Sequence, residues 1–361
     1  MAEQLRRTVP GGIGTYIRGL VKGLAELAEA PALTLWASRP MGRGPRLVSR
    51  ADPVARLGPT VTSALPSAAL VRAWDRGLAG YGGEADVVHA PSLALPPRRA
   101  APVAVTVHDL AWRRLPDAFP PRGRRWHDAA LARALERASL FVTPSRGTAD
   151  DLVAAGAPAA QVEVVDEGSD HLPAPDLDGA RVLLARLGVD GPYLLSVSTL
   201  EPRKNLPRLV AAYAKARAQM PEPWPLLVVG PAGWGDAGYP QVEGVVPTGW
   251  VDDAVLAALY GRARAVAYVP LLEGFGLPAL EAMACGVPVV ASPMPSTGGA
   301  ALEVEPNDIN AIAAALVTAT SDETARSSLV AAGTERARAL TWTATARTHV
   351  DLWTACVART Q

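Results

Sequence analysis

Two carboxylates, Glu273 and Glu281, lie in the run PLLEGFGLPALEAMACGVPVVAS that spans Pro270 to Ser292. Apolar residues from Ala265 to Val269 predict a strand that leads into a glycine turn. A helix over about Leu277 to Ala284 follows, then Gly286-Val287-Pro288 and another strand. Gly274 and Gly276 leave room for a ligand to approach backbone N–H groups. The helix start behind them carries unsatisfied donors and a partial positive charge, which suit a phosphate. Glu273 precedes the turn and Glu281 stands one turn into the helix, so both carboxylates can be drawn toward one cavity. A carboxylate accepts paired hydrogen bonds from vicinal hydroxyls, which makes a sugar and a ribose apt partners.

Other segments carry chemistry of a matching kind. Ser196 to Asn205 reads SVSTLEPRKN, a strand end followed by a polar turn and a helix start, with Arg203 and Lys204 as adjacent cations. Fixed cations stabilise the charge that builds on a departing nucleoside diphosphate, and they do so without a metal. The plain alternative is a solvated pair on a surface turn. Pro10 to Tyr16, PGGIGTY, reads as a glycine-rich loop before an amphipathic helix, either a phosphate cradle built around Gly12, Gly14 and Thr15 or an ordinary turn. His108, in Thr106-Val107-His108-Asp109, ends a predicted strand and faces either a ligand or the core. Trp250 and Val251, in Thr248 to Asp252, form either a platform for a nucleotide base or a packing contact. Asp176-Leu177-Asp178 mimics a metal-binding pair but follows no strand. The five histidines show no ligand spacing, so no metal is expected.

These segments together resemble the GT-B retaining glycosyltransferases, in particular the large family 4 (glycosyltransferase group 1), which includes many α-mannosyl- and α-glucosyltransferases. Glu273 to Glu281 is similar to that family's E-x7-E motif, and Glu201 to Asn205 to its E-x-R-K-N donor-diphosphate site. On this likeness Glu273 would contact the hydroxyls of the transferred sugar and Glu281 the ribose. The backbone of Gly274, Phe275, Gly276 and Leu277 would meet the sugar and β-phosphate. Arg203 and Lys204 would hold the diphosphate, and the Gly12-Gly14-Thr15 loop would face the phosphates and the acceptor. His108 would contact the transferred sugar near its reacting carbon, and Trp250 and Val251 would pack on the base. Phe141 to Ser145 and Val164 to Gly168 resemble the family's next two strand ends, although the family commonly has Asn where Glu167 stands. Pro293 to Glu303 departs from the usual leucine-proline-glutamate loop.

The elements that must position these residues recur along the chain. Apolar, β-rich runs lie at Asp86 to His89, Val103 to Val107, Leu140 to Val142, Val162 to Val165, Tyr193 to Val197, Leu226 to Val229, Val266 to Val269 and Val287 to Ala291. Helical patterns separate them, among them Trp126 to Ala138, Leu206 to Ala218 and Ala254 to Ala263. Alternation of this kind implies an α/β fold with parallel sheets built from βαβ units, in which ligands bind at the carboxyl ends of the strands. The run LPAPDLDGA within Leu172 to Asp190 reads as a domain boundary. The expected division is an acceptor-side domain over 1–175, a donor-binding domain over 190–340, and a last helix over 341–361 crossing back to the first. The resemblance implies that both domains are Rossmann-like, with parallel sheets facing a central cleft. A strand should precede the first glycine loop, but MAEQLRRTV has little strand character. The first strand is therefore either missing or encoded upstream of Met1.

Bulk composition removes other classes of function. The chain has 361 residues, 49% hydrophobic and 19% charged, enough for two domains with real cores. Basic and acidic residues balance at 35 each, which argues against a nucleic-acid partner. Only Cys285 and Cys356 are present, without metal-ligand spacing, which suits a reducing cytoplasm. No apolar run reaches the roughly 18 residues needed to cross a bilayer. Three lysines beside abundant Ala, Arg and Pro read as the imprint of a GC-rich bacterial genome. Arg98 to Arg146 carries ten arginines against four acids. That excess suggests peripheral contact with anionic lipid at the inner face of the plasma membrane, and so a lipid-linked acceptor.

The expected reaction moves a hexose from a GDP-, UDP- or ADP-sugar to a glycan, lipid-linked or small-molecule acceptor, without a cofactor and with retention. GDP-mannose is the first choice of donor, on the family's habits alone. Glu273 and Asp109 are the only carboxylates available as nucleophiles for a double displacement, so a same-face substitution is the simpler expectation. Two rivals are a 2-epimerase-like isomerase of the same architecture and a non-catalytic nucleotide-sugar-binding remnant.

Overall fold

The computed structural model describes residues 1–359 except 8, 40–51, 82, 98–99, 232–237 and 240. The chain forms two compact units. The first comprises Met1–Leu110, Pro121–His171 and Trp342–Gln361, and the second Ala111–Pro120 and Leu172–Thr341. The predicted apolar runs become short strands, and those in the sheet interiors are buried along their whole length, as strands covered by helices on both faces must be.

In the first unit, β1 (Leu35–Arg39) pairs in parallel with β2 (Thr60–Pro66). A separate parallel sheet runs β3 (Val88–Ala90), β4 (Val103–Thr106), β5 (Leu140–Thr143), β6 (Val162–Val164), in that order. Among the described residues no strand precedes the first long helix, Gly11–Ala25. Glu3–Arg6 is a single 3-10 turn. Its neighbours nonetheless bond to both sheets. The Ala2 N–H donates to the Trp36 carbonyl of β1 (2.8 Å) and the Met1 amino group to the His89 carbonyl of β3 (2.6 Å). The Ser38 N–H donates to the Glu3 carboxylate (2.6 Å), a side chain serving where a strand would offer its backbone.

The second unit holds one parallel sheet of β7 (Leu194–Val197), β8 (Leu226–Val229), β9 (Val245–Gly249), β10 (Ala265–Tyr268), β11 (Val289–Ala291) and β12 (Leu302–Glu303). Their order is β12-β11-β10-β7-β8-β9. The chain starts at the centre, winds out through β8 and β9, then returns to β10 beside β7 and winds the other way. The adjacent β7 and β10 therefore form the switch point of a doubly wound sheet, whose carboxyl edge is where such folds bind ligands. The helix Leu206–Arg217 buries Leu209, Ala212, Tyr213 and Ala216 against this sheet.

Two features differ from the sequence reading. Gly11 to Gly14 are the first turn of a helix rather than a loop. Pro10 sits at helical angles (φ −65°, ψ −32°) and its carbonyl already accepts from the Gly14 N–H (3.2 Å). The run across Leu172 to Asp190 is not all linker, because Leu177–Arg186 is a helix capped by Asp176, which accepts from the Gly179 N–H (2.9 Å). The arginine-rich helix Pro121–Arg137 spends part of its charge internally. Arg133 pairs with Asp75 (2.5 Å), and Arg137 donates to the Trp74 carbonyl (3.4 Å). Arg98 and Arg99 lie outside the described residues. No helix among the described residues is long and apolar enough to cross a membrane.

The last helix, Trp342–Ala358, belongs to the first unit and packs along Gly11–Ala25. The Trp342 N–H donates to Asp170 (2.8 Å) and its indole N–H to His171 Nδ1 (3.0 Å). Deeper in, His349 Nδ1 faces the Thr345 carbonyl (2.8 Å) and must donate to it, so His349 Nε2 accepts from the Tyr16 hydroxyl (2.7 Å). Tyr16 in turn accepts from Thr106 (3.0 Å), and Thr106 from His89 Nε2 (2.7 Å). This chain of bonds ties the last helix to the ends of β3 and β4. The closeness depends on glycine. A Cβ at Gly23 would lie 2.0 Å from the Trp342 carbonyl oxygen, a backbone atom that cannot rotate away.

Substituting Gly23→Ala should therefore destabilise the protein by about 1–3 kcal/mol from overpacking. The gain of about 1 kcal/mol in helix propensity works against that loss without cancelling it. Gly147→Ala, in a helix position where a Cβ meets nothing within 4 Å, should be neutral or stabilising. Urea denaturation of both variants makes the comparison.

Candidate active site

At the switch point of the second unit, Pro202–Lys204 forms a 3-10 turn beyond β7, and Pro270 to Gly276 forms the turn beyond β10. The two turns meet through charge. Glu273 Oε1 accepts from Lys204 Nζ (2.5 Å), Arg203 Nη1 (3.1 Å) and the Tyr268 hydroxyl (2.9 Å). Lys204 also donates to the Tyr268 hydroxyl (2.8 Å), and Arg203 Nε to Glu201 (3.2 Å). The side chains of Glu273, Lys204 and Arg203 are 11%, 10% and 16% exposed. They are shielded enough that each charge needs its partners. Among the described residues nothing donates to Glu273 Oε2, because all three of these bonds converge on Oε1.

Burial alone would raise the Glu273 carboxyl, but the charges of Lys204 and Arg203 outweigh it and pull the group down to about 2. Burial lowers the Lys204 ammonium and outweighs the opposing pull of Glu273. Burial, and then the Glu273 charge, push the Tyr268 hydroxyl well above its ordinary value. At neutral pH the site therefore presents an ionised carboxylate and a neutral phenol, with Lys204 and Arg203 donating to the carboxylate.

The turn geometry is pinned on both sides. Asn205 is the one non-glycine residue with positive φ (61°) among the described residues. Its buried amide donates to the carbonyls of Val269 (3.0 Å) and Pro306 (2.7 Å), which compensates for a backbone conformation that costs about 1 kcal/mol. Gly276 has φ +103°, and a Cβ there would stand 2.2 Å from the Met294 sulfur. Ser296 donates to the Gly276 carbonyl (2.9 Å), and its N–H to the Phe275 carbonyl (3.1 Å). Gly276 caps the helix Leu277–Ala284, while Phe275 and Leu277 are buried beneath the turn.

Not every predicted residue joins this cluster. Glu281 is buried and accepts from the equally buried Tyr260 hydroxyl (2.8 Å), a different partner set from that of Glu273. Trp250 follows β9, the edge strand beyond β8, and is 62% exposed, so it is not a packing residue of the core. Tyr268 was not among the expected site residues; it is a polar residue at an otherwise apolar strand end, and only the fold shows that it shares Glu273 with the two cations. Glu201, the first residue of the expected E-x-R-K-N run, holds Arg203.

The first unit has its own group of residues at the carboxyl ends of its strands. His108, after β4, sets Nε2 against the Pro91 carbonyl (3.0 Å) and Nδ1 against Glu167 Oε1 (3.3 Å). The Tyr16 ring meets the His108 ring edge-on at 4.9 Å. The His108 carbonyl accepts from Thr148 (3.4 Å). Gly12 is exposed with open space around it, whereas Gly14 is buried against Pro10 and Leu5. Thr15 accepts from Arg18 (3.3 Å).

Comparison with known proteins agrees with this layout. Residues 10–171 match the glycosyltransferase family 4 domain, and residues 191–322 match the glycosyl transferases group 1 domain. The chain is 33% identical over 271 residues to an O-antigen chain mannosyltransferase B of Escherichia coli, covering 71% of each chain. It is 29% identical over 322 residues to a GDP-mannose-dependent alpha-(1-6)-phosphatidylinositol monomannoside mannosyltransferase of Mycolicibacterium smegmatis, covering 80% of this chain and 78% of the relative. In fold it is similar to a sucrose-phosphate synthase from Thermosynechococcus elongatus, with TM-score 0.71 and 24% identity over 97% of this chain and 94% of the other. It is also similar to Anabaena HepE in complex with UDP-glucose, with TM-score 0.69 and 18% identity over 97% of both.

Replacing Glu273 by Gln leaves Arg203 and Lys204 shielded from water without their counter-charge. At pH 7 this should cost about 3–5 kcal/mol of stability. A depressed carboxyl stabilises the fold above its unfolded value and loses that contribution as pH falls through the folded value. The gap between wild type and Glu273→Gln should thus narrow from pH 4.5 down to about 2. Urea titrations at a series of pH values measure it.

Proposed function

The chain belongs to glycosyltransferase family 4, and from that membership we propose that it is a retaining hexosyltransferase drawing on a nucleotide-diphosphate sugar. The observation that carries this reading is the carboxyl edge between β7 and β10. There Glu273 keeps Oε2 open for sugar hydroxyls, while Arg203 and Lys204 supply positive charge for a departing diphosphate. Fixed cations in a shielded site make a divalent metal unnecessary for that step. The backbone of Gly274 to Leu277 meets the sugar and phosphate, Glu281 the ribose, and the exposed Trp250 with Val251 the base.

The substrate reading rests on the relatives. An Escherichia coli relative is named as a mannosyltransferase and a Mycolicibacterium smegmatis relative as GDP-mannose-dependent, which supports mannose from GDP-mannose. The latter is named for a phosphatidylinositol monomannoside, which supports a lipid-linked or glycan acceptor here. The exposed Arg122 and Arg125 suit contact with anionic lipid at a cytoplasmic membrane face. The acceptor-side residues are those of the first unit.

For retention, a same-face substitution fits best. A carboxylate held near pKa 2 by two cations is a weak nucleophile and no general base near neutrality. The departing phosphate oxygen then takes the acceptor proton as the new glycosidic bond forms. Incubation with GDP-, UDP- and ADP-sugars, with and without acceptor, tests the reading. Transfer is expected with GDP-mannose, and Lys204→Ala should lower kcat by roughly 10²–10³-fold. Tight binding without turnover would make the protein a binder, and donor conversion without an acceptor an isomerase. A glycosyl adduct on Glu273 in mass spectra would overturn the same-face step.

A further inference from the structure

The family likeness makes His108 a contact to the transferred sugar and leaves its protonation state open. Its surroundings decide that. Nε2 lies 3.0 Å from the Pro91 carbonyl and Nδ1 3.3 Å from a carboxylate oxygen of Glu167. A carbonyl and an ionised carboxylate can only accept, so each nitrogen satisfies its neighbour by carrying a hydrogen. A neutral imidazole has one N–H and would leave one acceptor facing a lone pair. The other titratable neighbours are Asp109 next in the chain, Tyr16 on the helix Gly11–Ala25, and His89 on β3. Tyr16 stays neutral because burial raises its hydroxyl. Burial also keeps His89 uncharged by lowering it well below its ordinary value. Neither Tyr16 nor His89 therefore adds a charge of the same sign beside the imidazolium.

We propose that Glu167 is a positioning residue that holds His108 as a doubly protonated imidazolium, so that His108 serves the substrate as a fixed cation and never as a base. Glu167 is only 3% exposed, lies just beyond β6 and has its oxygen turned to His108. A carboxylate buried to that degree is stable as an ion only with a partner, and His108 is the cation in contact with it. The pair spans the carboxyl ends of β4 and β6, and Pro91 beyond β3 braces the far side of the ring. Consistent with this, burial alone would lower the His108 imidazole, but Glu167, the Pro91 carbonyl and Asp109 outweigh it and raise it. This inference rests on the glycosyltransferase reading only for what the cation is used for. Its protonation does not depend on that reading.

Nitrogen-15 NMR of the imidazoles tests it, with His108 assigned by its loss in His108→Asn. Wild type should show both His108 nitrogens protonated at pH 7. In Glu167→Gln, which keeps an oxygen acceptor but no charge, the His108 midpoint should fall by about one to three pH units. Glu167→Asp should restore most of the shift, and it serves as the readout if Glu167→Gln does not fold. A His108 with one proton at pH 7 in wild type, or a midpoint unmoved by Glu167→Gln, would overturn the proposal. In the donor screen, kcat/KM should fall on the alkaline side as His108 loses its proton, and Glu167→Gln should move that limb to lower pH. A limb that stays put while the NMR midpoint moves would show that the charge is unused, which also overturns it. If no donor is turned over, the glycosyltransferase reading fails and the NMR result alone decides the role of Glu167.

Discussion

An ionised carboxylate near the end of β10 survives with little water only because two cations reach it from the turn beyond β7. That one interaction, Glu273 with Arg203 and Lys204, depends on almost everything else in the second unit. It requires β7 and β10 to be neighbours, although the 67 residues 198–264 lie between the end of one and the start of the other and the chain returns only after winding out through β8 and β9. It requires Asn205 to hold a left-handed turn so that Lys204 points inward, and Gly276 to let the following turn fold tightly against Met294 and Ser296. A small displacement in any of these would separate charges whose mutual neutralisation is what makes their burial tolerable.

The first unit uses a different means to a similar end. Its polar groups at strand ends are ordered by bonds whose direction is forced. The sequence of donors runs from His89 through Thr106 and Tyr16 to His349, with His349 held neutral by burial that pulls it down to about 4. Close packing of two helices, made possible by Gly19 and Gly23 against Trp342, brings His349 within reach. The histidine that faces the carboxyl edge, His108, is the exception among these rings, since a carboxylate and a carbonyl bracket it. Neutral rings below and a charged ring above follow from what each nitrogen faces, not from any difference between the residues themselves.

Much of this was legible in residue order. Strand positions such as Val103–Thr106 and Leu226–Val229 are apolar throughout, so interior parallel strands could be read directly. The glycine turn before Leu277 and the adjacent Arg203-Lys204 were visible as chemistry because few structural needs place those residues at strand ends. The glycines after Pro10 were misread for the opposite reason. A glycine run signals a loop by propensity, but Pro10 at helical angles and the packing of Gly14 on Leu5 carry the helix through it.

By itself, the sequence determined the α/β alternation, the family likeness and the identity of the charged residues, since these depend on periodicity and on short motifs whose members are near in the chain. Only the tertiary structure decided which of those residues share charge. Glu273 and Glu281 sit on one short segment yet take separate partners, whereas Glu273 and Lys204 are far apart in the chain yet joined at 2.5 Å. The pairing of Glu167 with His108 was equally invisible, because it follows from β4, β5 and β6 lying side by side in parallel. Charge state depends on distance in space, and distance in space is set by strand order, which no local pattern of residues encodes.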